Sequence, residues 1–192
     1  LQKALDDKAF APSFSKFKEA LIYANPISII TARGHDPKVL RKGMDLVISN
    51  TFNEDELGKM IDNIQQTYVE LNGENPEVVL KTYLDSQEYH PVTSDIFTDK
   101  FGLEGGSAAN PEENKKIALR DYVSNIVNKA SQMVNSGEEK LSVGFSDDDL
   151  GNINAIIPFI KEVLQVEFPD VDFIVYDTSE GGMNKIVLKQ TN

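Results

Sequence analysis

The chain has 192 residues, and 31 acidic against 19 basic side chains give it a formal net charge of −12. A chain of this length typically forms one domain and buries enough apolar surface to fold without a disulfide or metal staple. Cysteine is absent and histidine occurs twice. This composition excludes cysteine-ligated zinc, iron–sulfur clusters, thiol catalysis and disulfide scaffolds, and it disfavours histidine-rich metal sites.

Charge and hydropathy also limit the kinds of binding partner and the cellular location that we expect. The acidic balance argues against a broad nucleic-acid surface and against binding to an anionic membrane. No apolar run is long enough to span a bilayer. No signal peptide opens the chain, so we expect a cytoplasmic protein. Because the first residue is Leu1 and not methionine, we also expect that residues precede it. Nothing in the sequence sets the oligomeric state.

Apolar spacing, caps and prolines predict an alternation of helices and strands. In chain order we expect helix Ser13–Ala24, strand Ile27–Ile30, helix Pro37–Ile48, helix Asn53–Leu71, helix Pro76–Leu84, strand Tyr89–Thr93, a loop at Lys100–Asn110, helix Pro111–Val134, a turn at Asn135–Gly137, strand Leu141–Phe145, helix Asn152–Val166 kinked at Pro158, strand Asp172–Tyr176 and strand Lys185–Lys189.

This order predicts an α/β sandwich with a largely parallel sheet. We expect strands Ile27–Ile30 and Leu141–Phe145 to be neighbours or near neighbours in one sheet. Ligands of such sheets bind at the carboxyl ends of the strands. Thr31 and the aspartates that begin at Asp147 follow these two strands, so we expect them to open on the same side.

Three consecutive aspartates, Asp147, Asp148 and Asp149, follow a predicted strand. Negative charge concentrated beside a buried strand is costly without a cation. Mg²⁺ prefers oxygen ligands, carboxylates among them. The run therefore indicates a Mg²⁺ site. The alternative interpretation is that these aspartates cap the helix that begins near Leu150.

The segment Thr31-Ala32-Arg33-Gly34 lies between a predicted strand and a predicted helix. A hydroxyl, free backbone N–H groups and a positive helix end together suit a phosphate. The alternative is an ordinary turn that Thr31 caps. Arg33 either contacts a substrate or pairs with an acidic neighbour, and His35 is interpreted as a loop residue.

Lys115 and Lys116 lie in the first turns of the helix that is predicted to begin at Pro111. Lysine at this end opposes the helix dipole, and a nearby anion would offset that cost. The alternative is a solvated pair that balances Glu112 and Glu113.

Taken in order, these features resemble the haloacid-dehalogenase-like (HAD) hydrolase superfamily from its second motif onward, over roughly residues 13–175. Ile27–Thr31 is similar to motif II, whose hydroxyl binds the transferring phosphoryl group. Lys115, with Lys116 as second choice, is similar to the motif III lysine that neutralises nucleophile and phosphate. Leu141–Ile153 resembles motif IV, which implies that Asp147 and Asp148 hold Mg²⁺.

The resemblance implies a three-layer sandwich with a mostly parallel, Rossmann-like sheet, formed by one domain over residues 1–192. It also implies a Mg²⁺-dependent phosphatase that acts through an aspartyl-phosphate on a phosphorylated small molecule or polymer end. The phosphate would bind at Thr31, Ala32 and Arg33. Residues 51–88 occupy the place of the superfamily's cap, and they form either a small helical cap or an extra helical hairpin packed on the core.

Motif I is an apolar strand followed by Asp-x-Asp, and it supplies the nucleophile and the general acid. Nothing from Leu1 to Pro26 fits it, since the segment before Asp6-Asp7 is not a buried strand. Two hypotheses lead: an active phosphohydrolase whose nucleophile lies upstream of Leu1, and a catalytically inactive interaction module on the same fold. A phosphoacceptor receiver domain is a third hypothesis, but its acidic pair follows the first strand, an order that this chain lacks.

Overall fold

The computed structural model describes residues 11–103, 110–132, 140–179 and 183–188. Helices and strands alternate along most of the chain. In chain order they are α1 (Ala11–Ile22), β1 (Ser28–Thr31), α2 (Pro37–Thr51), α3 (Glu54–Thr67), α4 (Pro76–Asp85), β2 (Glu88–Pro91), α5 (Asp95–Phe101), α6 (Pro111–Gln132), β3 (Leu141–Asp147), α7 (Leu150–Phe159), α8 (Gln165–Glu167), β4 (Val171–Asp177) and β5 (Asn184–Leu188). A 3₁₀ turn, Val69–Leu71, follows α3, and a π-helical turn, Ile160–Leu164, follows α7.

Local sequence signals explain where several helices begin. The carboxylate of Asp36 accepts from the backbone N–H two residues on, and Pro37 then occupies the first helical position of α2. At the start of α3, Asn53 and Glu56 form a reciprocal capping box, in which each side chain bonds the other's backbone N–H. Side-chain caps of this kind satisfy N–H groups that have no partner inside the helix.

The structure differs from the predicted elements in several described places, among them the following two. The helix expected over Asn53–Leu71 is α-helical only to Thr67 and then tightens into the 3₁₀ turn. The expected loop Lys100–Asn110 overlaps the end of α5, a helix that periodicity alone did not reveal because it is only seven residues long. Several predicted features lie outside the described residues: residues 104–109 of the expected loop, the helix end at Val134, the turn Asn135–Gly137, the end of the last strand at Lys189, and Asp6-Asp7.

The described strands form two sheets. In the first, β1 and β2 are parallel, with Ser28 opposite Glu88 and Thr31 opposite Pro91. In the second, β3 and β4 are parallel over their whole length, with Asp147 opposite Asp177, and β5 pairs with β4 in the antiparallel sense. The described residues therefore form an α/β structure with one purely parallel and one mixed sheet.

The prediction that Ile27–Ile30 and Leu141–Phe145 share one sheet is wrong for the described residues, because these strands lie in different sheets. The three-layer, Rossmann-like sandwich is not confirmed by these two small sheets. The reason is physical. An apolar run predicts that a strand is buried, but which strand pairs with it depends on packing between distant parts of the chain.

The chain divides into two compact units. We call Phe17–Ala118 the β1–β2 unit, and Leu1–Lys16 together with Leu119–Asn192 the β3–β5 unit. The expectation of one domain over residues 1–192 stays a prediction.

The main apolar core of the β1–β2 unit is built largely by its helices. Met44 and Ile48 of α2 lie in it beside Leu21 of α1 and Ile27, which precedes β1. The helices of residues 51–88 contribute five of its buried side chains: Met60, Ile64, Val79, Tyr83 and Leu84. The helices of residues 51–88 are thus packed into this core, and their interpretation as a cap or as an extra helical hairpin stays a prediction.

In the β3–β5 unit, one face of the sheet is buried and α7 packs against β3 and β4. Val143 and Phe145 of β3 are buried, and Ile153 and Ile156 of α7 are buried too. Pro158 lies inside α7, ahead of the π-helical turn, as expected where a proline interrupts helical hydrogen bonding. Among the described residues, no helix combines the length and the apolar character that crossing a membrane requires.

Candidate functional site

Thr31 is the last residue of β1. Its hydroxyl oxygen accepts a hydrogen bond from the backbone N–H of Arg33 at 3.3 Å, and its carbonyl accepts one from Val92 at 2.9 Å. The hydroxyl of Thr93 donates to the carbonyl of Ala32 at 2.7 Å. The turn that follows β1 is therefore tied to the chain that follows β2, at the carboxyl ends of two parallel strands.

The remaining residues of this turn face solvent. Ala32, Arg33, Gly34 and His35 are exposed. Arg33 forms no ion pair with the acidic residues that the structure describes, so its proposed pairing with an acidic neighbour is not seen there. The exposed turn leaves the contact of Arg33 with a substrate as the open interpretation.

A hydrogen bond and apolar packing fix the start of α6 beside the chain that follows β2. Asn114 is buried, and its side-chain amide donates to the carbonyl of Val92 at 2.8 Å. Val92 and Ala118 are buried in one small apolar cluster, against which Ile30 and Ile117 pack. Thr31 and the helix that carries Lys115 are thus brought together through Val92, which bonds to both.

The two candidate lysines have different surroundings. Lys115 is buried, with 8% of its surface exposed. Lys116 forms a salt bridge with Glu113, one turn earlier, whose side chain is 56% exposed. This pair matches the solvated alternative for Lys116, while burial of a charged ammonium group requires compensating partners. The choice of Lys115 over Lys116 as the functional lysine stays a prediction.

A buried histidine lies on the neighbouring strand. His90 of β2 is 4% exposed, and its Nε2 lies 2.9 Å from a carboxylate oxygen of Glu88. Its ring meets the ring of Phe97 edge-on. Imidazole and carboxylate are both metal-ligand types, and in this structure these two side chains form a hydrogen bond with each other.

Asp147 is the last residue of β3, and both its backbone carbonyl and its carboxylate accept hydrogen bonds. Its carbonyl accepts from the backbone N–H of Thr178 at 3.1 Å and from the hydroxyl of Thr178 at 2.9 Å. Its Oδ1 accepts from the backbone N–H of Asp149 and from the side-chain amide of Asn152, both at 3.0 Å. These bonds fix the direction in which the carboxylate of Asp147 points.

The other two aspartates of the run differ in which interpretation they fit, cation ligand or helix cap. Asp149 caps α7, because its Oδ1 accepts from the backbone N–H of Gly151 at 2.7 Å. Asp148 is exposed and makes no hydrogen bond or ion pair with the residues that the structure describes. The cap interpretation is correct for Asp149, which leaves Asp147 and Asp148 as the candidate cation ligands.

Sequence reasoning missed Asp177. It ends β4 directly opposite Asp147 in the parallel register, so both side chains lie on the same face of the sheet. The backbone N–H of Ser179 donates to its carboxylate and holds the pKa of Asp177 below its usual range. The signal was available, since Asp177 follows an apolar strand just as the Asp147 run does.

The candidate residues fall into two groups. Thr31 and Lys115 belong to the β1–β2 unit, and Asp147 and Asp148 belong to the β3–β5 unit. Each group lies at the carboxyl end of a parallel strand pair. The first offers hydrogen-bond donors and positive charge, and the second offers carboxylate oxygens.

Comparison with known proteins adds no relative. The chain matches no family model, and neither a curated protein nor a solved structure is significantly similar to it. The argument for function therefore depends on the residues themselves.

Proposed function

We propose that the chain is part of a Mg²⁺-dependent phosphohydrolase of the HAD type, which acts through an aspartyl-phosphate. One observation carries the proposal. Both strands that the resemblance singles out belong to parallel pairs, and they end at the residues to which it assigns chemistry, Thr31 and Asp147. In parallel α/β sheets this is the end where ligands bind.

The phosphate-binding role is assigned to Thr31 and Lys115. The Thr31 hydroxyl accepts from Arg33 in the structure and still has its own proton to donate to a phosphoryl oxygen. A lysine ammonium supplies a point charge that offsets the negative charge of the phosphate. Phosphoryl transfer depends mostly on such positioning and charge stabilisation.

The cation role is assigned to Asp147 and Asp148. Asp147 is oriented by Asn152 and by the Asp149 N–H, and Asp148 is exposed, so the pair suits a cation that takes one or two carboxylates along with waters. In phosphoryl transfer, Mg²⁺ supplies neutralisation of the negative charge on the phosphoryl oxygens.

The reaction needs a nucleophile that the described residues do not supply. By resemblance, it is the first aspartate of an Asp-x-Asp sequence that ends a further strand. We assign that strand to the edge of β3 that has no strand partner among the described residues. Its carboxylate would attack phosphorus as the bond to the leaving group breaks, and the second aspartate would protonate the leaving oxygen. Water would then cleave the aspartyl-phosphate, releasing phosphate and restoring the carboxylate.

The test uses protein expressed from the full coding region. We expect hydrolysis of a generic aryl phosphate that depends on added Mg²⁺ and is lost with Thr31→Val. Absence of Mg²⁺-dependent turnover across a broad panel of phosphate esters would contradict the proposal and would favour the inactive interaction module instead. A coding region that contains no apolar strand ending in Asp-x-Asp would have the same consequence.

A further inference from the structure

The turn between α3 and α4 contains Asn72-Gly73, the single place in the sequence where glycine follows asparagine. Both residues are exposed. Gly73 has φ +84°, a left-handed conformation that favours glycine, and a Cβ built there would meet no atom within 4 Å. The turn is therefore open to solvent and unhindered at the glycine.

Neither reactive group of this pair is engaged. Within the described residues, the backbone N–H of Gly73 and the side-chain amide of Asn72 make no hydrogen bond. An amide nitrogen next to an asparagine side chain can close a five-membered ring, and glycine leaves the approach sterically free.

We propose that Asn72-Gly73 is a site of spontaneous deamidation. The Gly73 nitrogen loses its proton and attacks Cγ of Asn72, so that an N–Cγ bond forms. The Cγ–Nδ2 bond breaks, and the leaving amide takes up a proton to depart as ammonia. Water then opens the cyclic imide at either carbonyl, which yields aspartate or isoaspartate at position 72.

Gln65 controls how readily the turn reacts. Its side-chain amide donates to the carbonyl of Leu71 at 3.3 Å and to the carbonyl of Glu74 at 3.1 Å, one on each side of the turn. Leu71 is buried in the core. Asn72 is held extended, with ψ 125°, and ring closure requires rotation about this bond. The turn must therefore open first, and the Gln65 bonds oppose that opening.

The product changes the same turn. Isoaspartate adds a main-chain methylene between Leu71 and Glu74, so the two carbonyls no longer match the single amide of Gln65. It also places a carboxylate just after the carbonyl end of a helical segment, where negative charge is unfavourable. Deamidation should therefore loosen the connection between α3 and α4.

The experiment is peptide mass spectrometry of the purified protein after incubation at neutral and mildly alkaline pH. We expect position 72 to gain the mass difference between an amide and an acid, faster at the higher pH because the attacking nitrogen must be deprotonated. Both isomers should appear in the peptide map. Asn50 is the internal control, since it is exposed but precedes Thr51 and bonds the carbonyl of Leu46. Conversion of Asn72 no faster than that of Asn50 overturns the proposal.

Two variants test the chemistry and the role of Gln65. Asn72→Gln should abolish the mass change at this turn, because a six-membered ring closes far more slowly. Gln65→Glu keeps the side-chain length but removes the donor, and should accelerate conversion several-fold. Equal rates in Gln65→Glu and the parent protein would overturn the role given to Gln65, while the mass change in the parent protein would still decide the site itself.

Discussion

At the scale of single residues, Asp148 is the sharpest test of the cation site. It is exposed and makes no hydrogen bond within the described residues, so Asp148→Asn should change the free energy of unfolding by no more than about 0.5 kcal/mol. If Asp148 is a ligand, the same change should lower Mg²⁺ affinity at least about tenfold in a calorimetric titration.

Asp149→Asn is the matched control for that prediction. It removes the same charge from the adjacent position, and asparagine caps helices as well as aspartate does. Asp149 binds the backbone N–H of Gly151, so this variant should keep both the fold and the Mg²⁺ affinity. An equal loss of affinity in the two variants would mean that the loop attracts cations only through its overall charge.

The phosphate site has a comparable pair of lysines. Lys115 is buried, and Lys116 forms a salt bridge with Glu113. Lys115→Met keeps most of the apolar stem and removes the charge. Since a hydrogen bond to a charged group is worth about 1.5–3 kcal/mol, we expect phosphate affinity to fall at least about tenfold.

Lys116→Met should leave phosphate affinity unchanged, because adjacent helix residues point about 100° apart and the ammonium group of Lys116 is held by Glu113. If Lys116→Met were the damaging change, the lysine assignment would be off by one residue. If neither variant affected phosphate binding, the phosphate-binding role proposed for the lysines of α6 would be wrong.

At the scale of elements, α3 begins with an interaction that depends on pH. One carboxylate oxygen of Glu56 accepts from the Asn53 N–H at 2.9 Å and lies 2.6 Å from the ammonium of Lys18 on α1. The Lys18 bond, followed by the Asn53 bond, holds the pKa of Glu56 below its usual value of 4.5. Ionised Glu56 thus stabilises the fold above the unfolded-state pKa, and this contribution disappears as the pH falls through the lowered pKa.

Glu56→Gln keeps a side chain that can bond Asn53 but removes the attraction to Lys18. We expect the variant to lose about 0.5–1 kcal/mol of unfolding free energy at neutral pH, measured by urea denaturation. The difference from the parent protein should vanish at a pH below the lowered pKa, where the parent carboxyl is protonated. A difference that persisted there would place the effect in packing and not in charge.

At the scale of the whole molecule, the net charge of −12 should oppose compaction. Raising sodium chloride from about 0.01 M to about 0.1 M shortens the Debye length from about 30 Å to about 10 Å. Relief of about 1 kcal/mol of repulsion would raise the melting temperature of a chain this size by about 2–4 °C. The same scan near the isoelectric point is the control and should show no rise. A melting temperature that salt leaves unchanged at neutral pH would mean that favourable ion pairs balance the excess acid.

Local signals predicted the elements well because they act within a few residues. Pro37 and Pro76 start helices where the sequence indicated, and the strand before Thr31 was predicted to within one residue at each end. The same local signals gave less guidance on function. The role of Asp149 as a cap follows from its position before a helix. The hydrogen bond from Thr178 to the carbonyl of Asp147 joins residues 31 positions apart and could not be inferred from spacing.

The sequence by itself determined the α/β class, the order of most elements and the residue types available for chemistry, because periodicity, caps and composition are properties of short segments. Only the tertiary structure decided that β1 and β3 lie in different sheets, that Lys115 is buried and Lys116 pairs with Glu113, and that Asp177 lies opposite Asp147. These features are set by contacts between residues far apart in the chain. Such contacts form only when the loss of chain entropy is repaid by burial and hydrogen bonding of the whole assembly of elements.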